Sequence, residues 1–267
     1  MSLGANRWGK SGVRVSKVFD EGDFIDVTVQ VLLQGDVDAA HTKGDNSAVL
    51  PTDTMRNTIY GLAQESLDRD LEGFGEVLCQ RFLEREAIRT AVVTIYESIW
   101  DRQTAHGYIG GGSERRKARV ARGGDVSTSA GVEGLVVLKT GGSAFEGFPR
   151  DEFTILPEAS DRLLATSVTA DWVYSEVPSD TGGTWQQVRD LLVEHFFSDW
   201  SASVQHQGYL MGEAVLAAVG EIDAISFRLP NQHHLPFDLT RFGMEWEGTV
   251  FHPVSEPYGD IYLTVTR

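Results

Sequence analysis

Residue types able to do chemistry gather in a few segments of this chain. A lysine stands just ahead of the first alternating apolar run, in Arg7-Trp8-Gly9-Lys10. Gly44-Asp45-Asn46 leads into Pro51-Thr52-Asp53-Thr54 and Asn57-Thr58. Phe145 lies within Ser143 to Asp151, and Asp161-Arg162 follows. Ser203-Val204-Gln205 opens a helical pattern, and Leu229-Pro230-Asn231-Gln232-His233-His234 follows a strand pattern. Taken singly, each has a structural reading: a surface lysine, a helix cap, a core aromatic, a surface ion pair, a solvated helix residue. The 7 histidines form no helix-face pair at i, i+4, so the spacing gives no metal-ligand pattern. Cys79, the one cysteine, sits in an amphipathic run and reads as a buried small hydrophobe rather than a nucleophile. Gly110-Gly111-Gly112 lacks the lysine of a phosphate loop and the glycine spacing of a dinucleotide fold.

The elements that must hold these residues read as two similar halves. The 267 residues suit about two domains. Val27, Val29, Val31 and Leu33 alternate with polar residues, which predicts a hairpin over 12–34 with one buried face. A helix is expected from Thr52-Asp53, both good caps, and a second over 71–86, with a strand over 87–99. The Gly-rich stretch 103–117 reads as a linker. The order then recurs: a hairpin over 118–139, a strand over 163–174, helices over 185–200 and 203–219, strands over 222–229 and 260–266. Thr184 and Gln187 predict a capping box for the first of those helices. Two α+β units follow, divided as 1–112 and 113–267, each with helices on one face of an antiparallel sheet. Long edge strands need partners, so an oligomer is expected.

Net charge is 23 − 39 = −16, which disfavours nucleic acid and anionic membranes as partners. An anionic ligand would need local positive charge from the site itself. No run approaches the roughly 18–20 apolar residues of a membrane span. Met1 to Lys10 lacks an apolar core, and the chain closes on Val-Thr-Arg, so a cytoplasmic, bacterial-type protein is expected.

In order and spacing, these segments resemble the urate oxidases (uricases) from about Asn6 to Arg267. Ala40-His41-Thr42, Leu135-Val136-Val137-Leu138-Lys139 and Pro257-Tyr258-Gly259 add to the resemblance. It implies tandem tunnelling-fold (T-fold) domains, each an antiparallel four-stranded sheet with two helices on its concave face. Oligomerisation closes these into a barrel, giving a homotetramer with active sites at subunit interfaces. The implied reaction converts urate, dioxygen and water to 5-hydroxyisourate and hydrogen peroxide. It uses no cofactor and no metal; dioxygen is a co-substrate.

The resemblance also implies roles. Phe145 stacks on the purine, and Arg162 forks onto its edge, as a planar guanidinium suits an anion. Gln205 pairs with the opposite edge and Val204 offers its backbone amide. Thr52 and the amide of Asp53 reach in from the neighbouring subunit, and Asn231 with Thr52 holds dioxygen or water above the ring. Lys10, Thr52 and His233 form the proton relay. The pattern Leu-Pro-Asn-x-His selects His233 over His234; Gln232 and Arg56 depart from residues that are often lysine. A zinc cyclohydrolase of the same fold would need Cys and His ligands, and Cys79 stands alone. A pterin-type relative would anchor its ring by a glutamate where Gln205 stands. A non-catalytic purine binder would be expected to lack Lys10, Thr52 or His233.

Overall fold

The computed structural model describes residues 2–267. The chain packs as two compact units: the first runs through Val132 and includes Trp172–Gln186, and the second comprises Glu133–Asp171 and Gln187–Arg267. Within each unit, sheet neighbours follow chain order.

The first unit is built on β1 (Trp8–Val18), β2 (Phe24–Gly35), β3 (Ile88–Thr104) and β4 (Gly107–Arg122), with β1–β4 antiparallel. The expected alternation of β2 is realised: Val27, Val29, Val31 and Leu33 are fully buried. They pack under Met55 and Ile59 of α2 (Thr52–Ser66) and Phe74, Leu78 and Phe82 of α3 (Leu71–Leu83). Such burial contributes about 1.5–3 kcal/mol per large side chain. Gly75 lets α3 approach: a Cβ there would sit 2.8 Å from Val120 Cγ2. Cys79 is buried, and burial pushes its thiol up to about 12, so it stays protonated and inert.

Some expectations are corrected. The stretch 103–117 is no linker, because β3 and β4 form one long hairpin through it, pairing Trp100 with Gly110 and Asp101 with Ile109. The division expected after Gly112 therefore falls inside β4. A short helix α1 (Asp38–Lys43) was not expected. The cap of α2 is Pro51, which offers no side-chain acceptor; Thr52 is already helical.

The second unit holds most of β5 (Ser127–Lys139), β6 (Leu164–Tyr174) and α4 (Thr181–Ser198), and all of α5 (Val204–Ala218). Because α4 opens at Thr181, Thr184 lies inside it and the expected capping box does not form. Strands β7 (Ile222–Pro236) and β8 (Phe251–Thr266) pair antiparallel and run well past the expected ends. Helix α5 lies close against them, since a Cβ at Gly208 would meet Leu229 and Leu263 at 2.8 Å. Among the described residues, no helix is long and apolar enough to cross a membrane.

One buried ion pair anchors the first unit. Arg116 donates to Glu72 at 2.6 Å, with both side chains almost wholly buried. Burial holds the Glu72 carboxyl above its ordinary range, against the opposing pull of Arg116. Arg116→Met would leave Glu72 buried without its cation, a loss of about 3–5 kcal/mol. A raised folded pKa means that stability falls as pH rises through it. The deficit should therefore be larger at pH 8 than at pH 5, since protonation relieves the unpaired buried charge as pH falls. Urea unfolding of wild type and variant at both pH values checks this; a pH-independent deficit would contradict it.

Candidate active site

In the second unit, main-chain bonds lace three distant segments together. Ser201 donates its amide to Gly142 O at 3.1 Å, and Ser201 O accepts from the Ala144 amide at 2.8 Å. Phe145 and Ala159 exchange both bonds, at 2.7 and 3.0 Å, and the Arg162 amide donates to Ser143 O at 2.7 Å. Asp161 Oδ1 accepts from the amides of Gly142 and Ser143 at 2.7 and 3.3 Å. Phe145 and Arg162 thereby become neighbours although 17 positions separate them, the guanidinium carbon lying 5.1 Å from the ring centroid. Phe148 stacks on Phe145 at 5.0 Å and 15° and braces it. The sequence reading gave no role to Phe148, Ser143, Ser201 or Asp161; only an aromatic repeated at i+3 across Gly147 hinted at the first.

Arg162 is half-buried and makes no ion pair among the described residues. Its Nε is buried without a hydrogen-bond partner. Desolvation lowers its pKa from the ordinary arginine value, although a guanidinium still keeps its charge. A desolvated cation beside an aromatic face suits a flat anion.

The same lacing leads into α5. Ser203 caps it, its Oγ accepting from the His206 amide at 3.1 Å and its O from the Gln207 amide at 3.0 Å. The amides of Val204 and Gln205 come earlier in the turn, where a helix has no acceptor of its own. They lie at its positive end. Val204 is buried and Gln205 exposed.

Asn231 and His233 lie on β7. Asn231 pairs with Gly259 but His233 with Val254, so β8 bulges between those partners. His233 and His234 both line an open recess of about 570 Å³ with Arg228, Pro230 and Tyr258. His234 Nδ1 is 3.2 Å from Gln232 O, a local tie for that ring. His233 makes no hydrogen bond among the described residues.

The remaining expected residues belong to the first unit. Lys10 pairs with Val31, and Val13 pairs with Val29, so three steps of β1 face two of β2. This bulge, with Gly12 at φ +70°, changes the parity of β1. Without it, Lys10 and Val13 would face opposite ways; with it, Lys10 shares the face of Val31, the one the helices cover. Helix α2 runs alongside β1. Trp8 Nε1 donates to Leu50 O at 3.0 Å, Tyr60 Oη to Arg14 O at 2.8 Å, and Lys17 Nζ to Leu67 O at 2.7 Å. The first of these ties holds the start of β1 against the segment just before α2. Both helix residues are exposed, and the Asp53 carboxylate turns to Arg56 and Asn57. Pro51 O accepts from the Met55 amide at 3.2 Å, but the cap has no side-chain acceptor, so the earlier amides of α2 remain available to a ligand. The two groups of residues thus lie one in each unit.

A family model described as uricase matches residues 6–129 and again 128–262. The uricase of Arthrobacter globiformis is 39% identical over 275 residues, covering 99% of this chain and 90% of that protein. The uricase of Aspergillus flavus is 37% identical over 291 residues, covering 98% and 96%. The crystal structure of the Arthrobacter globiformis uricase superposes with a TM-score of 0.95 over 100% of this chain and 95% of that one.

Proposed function

The chain belongs to the uricase family, and on that footing we propose how its residues divide the oxidation of urate. The enzyme is a urate oxidase built from two tandem T-fold repeats. It converts urate, dioxygen and water to 5-hydroxyisourate and hydrogen peroxide. The family's reaction uses no metal or organic cofactor, since ionised urate itself supplies the electrons to dioxygen.

Urate is a flat anion near neutral pH. In this reading it stacks on Phe145, its edge is held by the fork of Arg162, and Gln205 and the Val204 amide meet the other edge. The observation that carries the reading is Arg162: a desolvated guanidinium without a counter-ion, set over an aromatic ring. On a chain of net charge −16, a cation kept free in this way attracts a ligand anion that the surface as a whole repels. Thr52 and the Asp53 amide approach from the neighbouring subunit. Thr52 passes the urate proton to Lys10, which acts as the base. Asn231 and Thr52 hold dioxygen and then water above the ring, and His233 exchanges protons with solvent. Asn231, His233 and the substrate-stacking residues belong to the second unit; Lys10, Thr52 and Asp53 belong to the first.

The assembly in this reading is a homotetramer whose barrels close when outer strands pair between chains. Support comes from two long edge strands, β1 and β8. It also comes from apolar side chains left bare, Phe153 at 83% and Ile155 at 92% exposure. Cytoplasmic residence belongs to the same reading and is supported by a single buried thiol.

The test is aerobic incubation of the purified protein with urate, following its ultraviolet absorbance and the peroxide formed. Loss of absorbance matched by peroxide is expected; no loss from a folded tetramer would overturn the reading. His233→Ala should lower kcat by roughly 10²-fold, as loss of a proton-transfer group does. His234→Ala should lower it far less, and the reverse order in a steady-state assay would move the role to His234.

A further inference from the structure

Lys139 lies outside every role assigned above, yet its ammonium is buried in the second unit. It closes β5 and is 7% exposed. Nζ donates to Asp199 O at 2.7 Å and to Gln207 Oε1 at 2.7 Å, and it sits 5.5 Å from the centroid of Phe196. Gln207, 1% exposed, donates through Nε2 to His195 O at 2.8 Å. The His195 ring is tied to the Asp199 carboxylate at 2.9 Å. The ammonium therefore meets the carbonyl end of α4, where a cation is favoured, without touching a carboxylate.

What this arrangement holds is the turn from α4 into α5. Upstream, the turn is fixed at Asp199 by Lys139 and at Ser201 by the main chain of Gly142 and Ala144. Downstream, α5 is fixed at Gln207, again by Lys139. Val204 and Gln205 lie between these clamps, and their amides point out of the first turn of α5. Burying an ammonium costs several kcal/mol, so an apolar residue would be the cheaper filler if packing were all that the place required. A buried donor also fixes direction, which packing alone does poorly.

We propose that Lys139, acting through Gln207 and Asp199, is a positioning residue that sets the first turn of α5 for the anionic substrate edge. The inference rests on the reading of Val204 and Gln205 as urate contacts. The experiment pairs Lys139→Met with the double variant Lys139→Met/Gln207→Leu. For each it measures thermal stability, KM and kcat with urate, and the Kd for urate under nitrogen, where no turnover occurs. Lys139→Met should raise KM and the anaerobic Kd about 10-fold or more and leave kcat within about 3-fold. The double variant, with both polar partners replaced by apolar ones, should recover stability while Kd stays raised, because Asp199 remains untied. A purely structural role would return Kd to normal together with stability, and that outcome overturns the proposal. So does an unchanged Kd in folded Lys139→Met. If Lys139→Met does not assemble, Lys139→Gln, neutral but still a donor, should show a smaller rise in Kd, and no rise overturns the proposal. A wild-type protein that does not bind urate would instead sink the functional reading, and this inference with it.

Discussion

Lys10→Met is expected to lower kcat for urate oxidation by roughly 10²–10⁴-fold, the usual worth of a positioned proton-transfer group. The Met side chain keeps the length and apolar stem of lysine and removes the ammonium. Lys10 is half-buried on the helix-covered face of β1, so methionine is tolerated sterically there. Most of the binding contacts in this reading, those of Phe145, Arg162, Gln205 and the Val204 amide, come from the other unit, so KM and the anaerobic Kd should move by less than about 3-fold. Single-turnover kinetics would locate the loss in the first oxidation step. A variant with normal kcat would show that Lys10 is a surface lysine after all. A variant with raised KM alone would move it from proton transfer to binding. Thr52→Val should show the same direction, with a smaller loss if water can bridge the proton path.

Arg162→Met carries the second large effect. A charge-assisted bond contributes about 1.5–3 kcal/mol, so loss of a two-pronged contact should cost about 3–5 kcal/mol. That corresponds to roughly 10²–10⁴-fold in kcat/KM, most of it in KM, because the fork holds substrate and transition state alike. The folded state should lose little, and this separates the residue from an ordinary structural arginine. Arg162 has no ion pair to break among the described residues, and removing it also removes a desolvation cost. Arg162→Lys should recover only part of the loss, since a point charge cannot fork. Equilibrium unfolding beside steady-state kinetics checks both halves of this expectation. A large fall in stability with unchanged KM would make Arg162 structural.

Much of the fold was legible because one face of each sheet is buried. The run Val27 to Leu33 has a period that only a half-buried strand satisfies, and its pairing with β3 follows. The hairpin through 103–117 was not legible, because its glycines lie inside paired strands, one for close approach and one for a positive φ. A Cβ on Gly111 would sit 3.0 Å from Ile99 O, and Gly112 has φ +86°. Composition cannot tell such a glycine from one in a linker. Strand β8 was read short because Pro253 and Pro257 interrupt its pattern, and its pairing resumes beyond the bulge.

The site was less legible residue by residue. Phe145 and Arg162 meet through main-chain bonds that leave no periodic trace, and the bulge that turns Lys10 inward is marked only by Gly12. Their joint resemblance to the uricases supplied what spacing could not. Even that resemblance gave no role to Phe148 and Lys139, which act by holding other residues in place.

The central claim is that residues of one chain's first unit and another chain's second unit complete each active site. Subunit mixing tests it most directly. Lys10→Met and Arg162→Met proteins, each nearly inactive alone, are unfolded, combined in equal amounts and refolded together. If sites form across chains, about a quarter of them will receive both intact partners by random assortment, and activity should rise toward that fraction of wild type. If Lys10 and Arg162 of the same chain serve one site, no assortment can repair it. A refolded tetramer with no more activity than its separate parents would contradict the account.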